Sequence, residues 1–109
     1  MKWIPLESAE QLDSIKHKEG YSIIFKHSTR CSISMMARRR FEMDWDNIPE
    51  SIPVYFLDLL KFRSLSNQIA EDFSVNHESP QLLLIKGGEC ILDQSHGSIS
   101  VEETLSVVQ

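Results

Sequence analysis

The stretch YSIIFKHSTRCSISMMARRRFEM, Tyr21 to Met43, decides the architecture. Its first seven residues centre on Ile23, Ile24 and Phe25, and that β-branched and aromatic composition is the mark of a buried strand. From Cys31 onward helix formers take over. Ile33, Ala37 and Phe41 recur at four-residue spacing on one face, and Met36, Arg40 and Met43 share another. The pattern predicts a strand over Tyr21 to His27 and a helix over about residues 31–45, released before Asn47-Ile48-Pro49. Cys31 falls where the strand hands over to the helix.

Outward from this unit the signals alternate. Toward the start, Ser8 and Gln11 form a weak capping box, and Leu12 and Ile15 give a modest apolar stripe, so residues 8–18 read as a helix ending before Gly20. Toward the end, Pro53 to Leu60 reads as a second buried strand through Val54, Tyr55, Phe56 and Leu57, interrupted by Asp58. Residues 64–73 follow as a helix with Leu65, Ile69 and Phe73 inward. Gln81 to Lys86 is apolar on both faces, as a central strand must be. Gly87-Gly88 makes a tight hairpin into Glu89–Leu92, and a last helix from about residue 101 is anchored by Leu105 and Val108. The order is α-β-α-β-α-β-β-α. Two strands joined by a helix are parallel with a right-handed crossover, and two joined by a two-residue turn are antiparallel. A βαβ unit is thus followed by a ββα unit.

The 109 residues suit one domain over 1–109, with a core large enough to stand without a metal or disulfide staple. A net charge of −5 disfavours a general nucleic-acid binder and favours a soluble monomer or weak dimer. No run approaches the roughly 18–20 apolar residues of a membrane span, and the first residues lack a signal-peptide core. A cytoplasmic protein with reduced thiols is expected.

Cys31 is the leading chemical candidate. Ligands collect at the carboxyl ends of strands in an open α/β sheet. A helix N-terminus with free N–H groups favours the thiolate, which is the attacking species, and Arg30 beside it adds positive charge. The bland alternative is a small buried hydrophobe, the habit of most free cysteines. Ser34 stands where a dithiol enzyme carries its second cysteine, so Cys31-Ser32-Ile33-Ser34 is a monothiol arrangement, and Ser34 also suits a first-turn position that satisfies backbone donors. Ser79-Pro80 stands directly before the central strand. A proline there is unremarkable, but in this arrangement a cis-proline faces the cysteine and leaves the preceding backbone to pair with an incoming chain. Cys90 is not a disulfide partner for Cys31. The hairpin pairs Ile85 with Cys90, about 16 Å along the strand from Pro80, whereas a disulfide needs Cα atoms within about 7 Å. Cys90 reads as packing. His17, His27, His77 and His96 lack metal-ligand spacing, so no metal is expected. His27 either orients the thiol or caps a strand end. Arg38-Arg39-Arg40 reads as a solvated helix face, with binding of an acidic thiol or partner as the sharper alternative. Asp58 falls near the site with an open role.

The segments FKHSTRCSIS (Phe25 to Ser34), Trp3-Ile4-Pro5-Leu6, Asp58-Leu59-Leu60 with Ser66-Asn67 and Ile69-Ala70, HESPQ (His77 to Gln81), and Ser95-His96 with Ile99 resemble the YtxJ-like proteins, the monothiol bacilliredoxins. The resemblance runs over essentially the whole chain. It implies a thioredoxin-like α/β fold, expected here as a four-stranded mixed sheet with flanking helices, and thiol–disulfide exchange. It also implies that Cys31 is the nucleophile, that Pro80 is the cis-proline, and that bacillithiol, a low-molecular-weight thiol, is taken as co-substrate from mixed disulfides on client proteins. No bound cofactor and no nucleic-acid or membrane partner is implied; a stress response is the expected setting, with repair after oxidation and routine signalling both open as the role. One departure matters: the family usually has proline after the cysteine, and Ser32 here restores a backbone N–H near the sulfur. Two other readings of the residues stay open. One is a non-catalytic thioredoxin-like module that holds partners at the Pro80 edge. The other is an iron–sulfur carrier of the monothiol glutaredoxin type, which resembles this chain less because it carries Gly-Phe where Ser32-Ile33 stands.

Overall fold

A computed structural model describes residues 1–108. In chain order the elements are β1 (Trp3–Pro5), α1 (Ala9–His17), β2 (Tyr21–His27), α2 (Ser32–Met43), β3 (Val54–Asp58), α3 (Arg63–Asp72), β4 (Gln81–Lys86), β5 (Glu89–Ser95) and α4 (Val101–Ser106), with short 3₁₀ turns at Trp45–Asn47 and His96–Ser98. The strands form one sheet in the order β1-β3-β2-β4-β5. β2 is parallel to β3 and antiparallel to β4, which is antiparallel to β5. The expected mixed sheet with flanking helices is present.

It has five strands, however, and not four. Three residues are too few to show a period, so β1 is invisible to pattern reading. What holds it is Trp3. β1 runs parallel to β3, and the Trp3 ring packs 4.8–5.5 Å from the rings of Phe25, Phe41, Trp45 and Phe56. Its Nε1–H donates to Glu42 at 2.7 Å. A half-buried indole among aromatic rings, with its N–H satisfied, is a strong anchor for an edge.

Alternation along the central strands builds two cores. Ile23 and Phe25 of β2 and Leu82 and Leu84 of β4 pack with Ala37 and Phe41 of α2 and Val101 of α4. Ile24, Leu83 and Ile85 point the other way, onto Leu12 and Ile15 of α1, Ile69 of α3 and Phe73 at its C-cap. The result is a sheet between two helical layers. α1 starts with the Ser8–Gln11 capping box, as the sequence indicated. α2 is shorter than expected, because the chain tightens into the turn at Trp45. In α2 the buried residues are Ser34, Ala37 and Phe41, while Ile33, expected beside Ala37 and Phe41, is 55% exposed. Ser34, the next residue of the same first turn, takes the inward place instead, so helical spacing alone misplaces Ile33.

The hairpin forms as expected. Lys86 pairs with Glu89 and Ile85 with Cys90, and Gly87 and Gly88 have φ of +59° and +81°, which suits two glycines in a tight turn. A Cβ on Gly88 would collide with the Lys16 carbonyl oxygen. β5 then runs on to Ser95, past the expected end at Leu92, because a register shift between Leu84 and Ile85 lets pairing resume. At its end Gln94 Oε1 accepts from Ser100 N–H and Thr104 Oγ1–H, at 3.0 and 3.1 Å, tying β5 to α4.

Candidate active site

β2 ends at His27 and the chain turns at once, with Cys31 N–H donating to the Ser28 carbonyl at 3.1 Å. Cys31 has extended φ/ψ of −107° and 121° and stands as the N-cap of α2. Its carbonyl already accepts from Met35 N–H at 3.1 Å. The thiol is a free cysteine, partly exposed. It closes no capping hydrogen bond within ordinary limits, yet the first turn of the helix faces it. The Ser34 N–H is the largest influence holding its pKa below the usual thiol value, joined by the Ser34 hydroxyl and the Ile33 N–H and opposed by partial desolvation. Donors aimed at the sulfur stabilise its charged form.

Ser34 is fully buried, and its Oγ also accepts from Ser28 N–H at 3.4 Å. One hydroxyl therefore ties the strand-end turn to the helix and borders the sulfur. Arg30 lies out in solvent.

The Ser79–Pro80 peptide bond is cis. Gln81 pairs with Lys26, so Pro80 lies opposite the end of β2 from which the Cys31 turn departs. The Pro80 carbonyl accepts from His96 N–H at 3.0 Å, while the buried Oγ of Ser79 has no hydrogen-bond partner. The sheet thus brings Cys31, Ser34, Ser79 and Pro80 to one end.

Cys90 belongs elsewhere. It packs on the α1/α3 face of the sheet beside the Ile24–Ile69 core, and its Sγ–H donates to the Leu92 carbonyl at 3.3 Å. Burial first, then the charge of Asp93, push its thiol up to about 11. The packing role expected for it matches this setting. At neutral pH a thiol-alkylating reagent should therefore label Cys31 quickly and leave Cys90 intact in the folded protein. Peptide mapping after brief alkylation checks this, and label at Cys90 in folded protein would contradict it.

His27 is buried with its Nδ1 unpartnered. Its ring lies 5.2 Å from that of Phe56 and 6.3 Å from that of Phe25. Burial, followed by the nearby Arg38 charge, lowers its pKa, so it is neutral at pH 7. Asp58 has a defined local role: its Oδ1 accepts from Leu60 and Lys61 N–H, which orders the turn into α3. The three arginines diverge. Arg38 pairs with Glu42 at 3.2 Å and lies over the Phe56 ring, whereas Arg40 reaches the His96 carbonyl and Arg39 is exposed. Among the described residues no group of three His, Cys, Asp or Glu is placed to hold a metal ion.

Sequence reasoning missed Lys26. It is fully buried, with its Nζ donating to the Ser66 carbonyl at 3.1 Å and lying 3.3 Å from His77 Nδ1. The Ser66 hydroxyl is also within 3.4 Å of that nitrogen. Gln81 holds the same loop from the other side, donating to the Asn76 carbonyl at 2.9 Å and accepting from Glu78 N–H at 3.4 Å. Lys26 and Gln81, paired across β2 and β4, together brace residues 76–80 ahead of Pro80. The signal was present in the sequence: a lone charge inside a strand apolar on both faces.

A free cysteine at the N-cap position of a helix, a serine three residues on, and a cis-proline at the same end of the sheet make up the candidate site, and the comparisons with known proteins bear on its fold and family. A solved thioredoxin-fold protein proposed to be an oxidoreductase is 31% identical, covers 95% of this chain and 90% of its own, and superposes with a TM-score of 0.81. A thioredoxin variant from Halobacterium salinarum (13% identity, TM-score 0.73, covering 98% and 88%) and thioredoxin from Malassezia sympodialis (17%, 0.72, 96% and 86%) share the fold. The family described as monothiol bacilliredoxin BrxC matches residues 4–104. With nearly the whole chain matched and a single thiol at the helix start, this protein belongs to the monothiol bacilliredoxin family.

Proposed function

We propose that this protein removes a low-molecular-weight thiol, such as bacillithiol, from mixed disulfides on client proteins. The Cys31 thiolate attacks the small-thiol sulfur of a client–S–S–R bond. That bond breaks, the client cysteine leaves as a thiolate and takes a proton from water, and Cys31 retains R as a mixed disulfide. A second R–S⁻ then attacks the R sulfur on Cys31, releasing R–S–S–R and the free Cys31 thiolate. Each step exchanges one disulfide for another, and the net result reduces the client cysteine while one free small thiol is oxidised, joining the one removed from the client as R–S–S–R.

The observation that carries this reading is the pairing of a partly exposed thiol, held below its usual pKa by the Ser34 and Ile33 donors, with a second cysteine that is protonated on the other face of the sheet. A helix terminus that favours the thiolate raises the attacking fraction at neutral pH. The exposed Arg30 adds a longer-range attraction for anionic sulfur, and Ser79-Pro80 offers an edge for the client backbone. With no resolving thiol beside it, Cys31 passes its adduct to a second small thiol.

The test is intact mass. Reduced protein, incubated at neutral pH with a client protein carrying bacillithiol in mixed disulfide, should gain one bacillithiol on Cys31 while the client loses one. A client that stays modified, with Cys31 unmodified, would overturn the proposal.

A further inference from the structure

α2 presents an outward face unlike the rest of the surface. Among the described residues eight large hydrophobic side chains are exposed, and four of these stand on α2. Ile33, Met36 and Met43 are 55%, 62% and 83% exposed. With Arg40 they form a continuous stripe at i, i+3, i+7 and i+10, flanking the buried strip of Ser34, Ala37 and Phe41. Methionine side chains adapt to varied apolar partners, which suits a surface meeting many sequences.

Charge is concentrated there too. Residues 20–41 contain five basic residues and no Asp or Glu, so the rest of the chain carries −10. Lys26 is buried and Arg38 is engaged by Glu42. Glu42 is turned inward by Trp3 and Arg38, so it does not neutralise the outer face. No carboxylate lies within ion-pair distance of Arg30, Arg39 or Arg40 among the described residues. The face is therefore apolar and positive from Cys31 to Arg40, on an otherwise acidic protein, and the exposed Asp44 and Asp46 lie beyond its far end.

We infer that this α2 face docks the polypeptide around the modified cysteine of a client, and that it selects segments in which apolar residues are flanked by Asp or Glu. The inference rests on the exchange reading of Cys31. An acidic segment meets the arginines while its apolar residues cover Ile33, Met36 and Met43, and a basic segment is repelled. Complementary charge of this kind mainly accelerates encounter, and salt weakens it.

Two peptides settle it, each with the same apolar core around one cysteine carried as a mixed disulfide with free cysteine, one flanked by Glu and the other by Lys. Reduction is followed by mass spectrometry, with cystine as the small-molecule control. At low ionic strength the Glu peptide should react about tenfold faster, and the ratio should approach one in about 0.5 M salt. Arg39→Glu should erase most of the preference, and Met36→Ser should slow both peptides, with the cystine rate unchanged in each. Equal rates for the two peptides, or variants that slow cystine equally, would overturn the inference. So would a salt-sensitive dimer dissociated by Arg39→Glu, since the face would then belong to a second copy of this chain. If Cys31 exchanged with neither cystine nor peptide, the exchange reading itself would fall.

Discussion

Cys31→Ser is expected to remove thiol–disulfide exchange, with a fall on the order of a thousandfold or more, the scale felt when a nucleophile is deleted. The serine hydroxyl fits the N-cap and suits it chemically, because Ser is among the preferred capping residues. The variant should therefore fold at least as well as the parent. What it lacks is an ionised sulfur, and a hydroxyl cannot form or accept a disulfide. Cys90→Ser serves as the control. Its sulfur bonds the Leu92 carbonyl and is held protonated, so exchange should survive its loss. Both variants are read by release of reduced client and by circular dichroism. Exchange surviving in Cys31→Ser but lost in Cys90→Ser would reverse the assignment of the two thiols. Loss of client capture along with exchange is expected too, and a Cys31→Ser protein that still bound clients stably would favour a module that holds partners without chemistry.

Lys26→Met is expected to change the pH dependence of stability. Burial pushes the Lys26 ammonium from its ordinary 10.5 down to about 8. Below pH 8 both folded and unfolded chains are protonated there, and folding bears the full desolvation of the charge. Between about 8 and 10.5 the folded chain has released the proton and the unfolded chain has not, so the unfolded state binds more protons and stability rises with pH. The gain integrates to about 3 kcal/mol. Cys90 works in the opposite direction over 9 to 11, because its folded pKa is raised and stability is lost there as pH increases. The difference between parent and Lys26→Met cancels that contribution. Denaturant titrations at several pH values should show the parent gaining on the variant from pH 8 to 10.5. A constant difference over that range would mean that Lys26 is not held as described.

Most of the architecture could be read before any coordinates, because its main signals are local. The run from Tyr21 to Met43 carries a strand, a turn and a helix in one stretch, and Gly87-Gly88 fixes the last hairpin and its register. The parts that escaped depend on distant contacts. β1 exists because Trp3 reaches Phe25, Phe41 and Phe56, three residues far along the chain. The outward turn of Ile33 and the burial of Ser34 depend on how α2 is rotated against the sheet, which helical period does not encode. At the site, Cys31 and Pro80 were visible from their places beside a helix start and a strand start. The Lys26–His77–Ser66 network was not, because it joins β2, α3 and the loop before β4, and no spacing along the chain links them.

The missing cap on α2 bears on turnover as well as on attack. No serine, threonine or aspartate side chain closes the helix end, so anionic sulfur is what its N–H groups favour. An adduct on Cys31 withdraws that negative charge and leaves the donors poorly matched. A thiol that ionises readily is also displaced readily from a disulfide. The same few N–H groups that arm the protein for its first encounter therefore make the loaded form short-lived, and the equilibrium between loaded and unloaded states leans toward discharge.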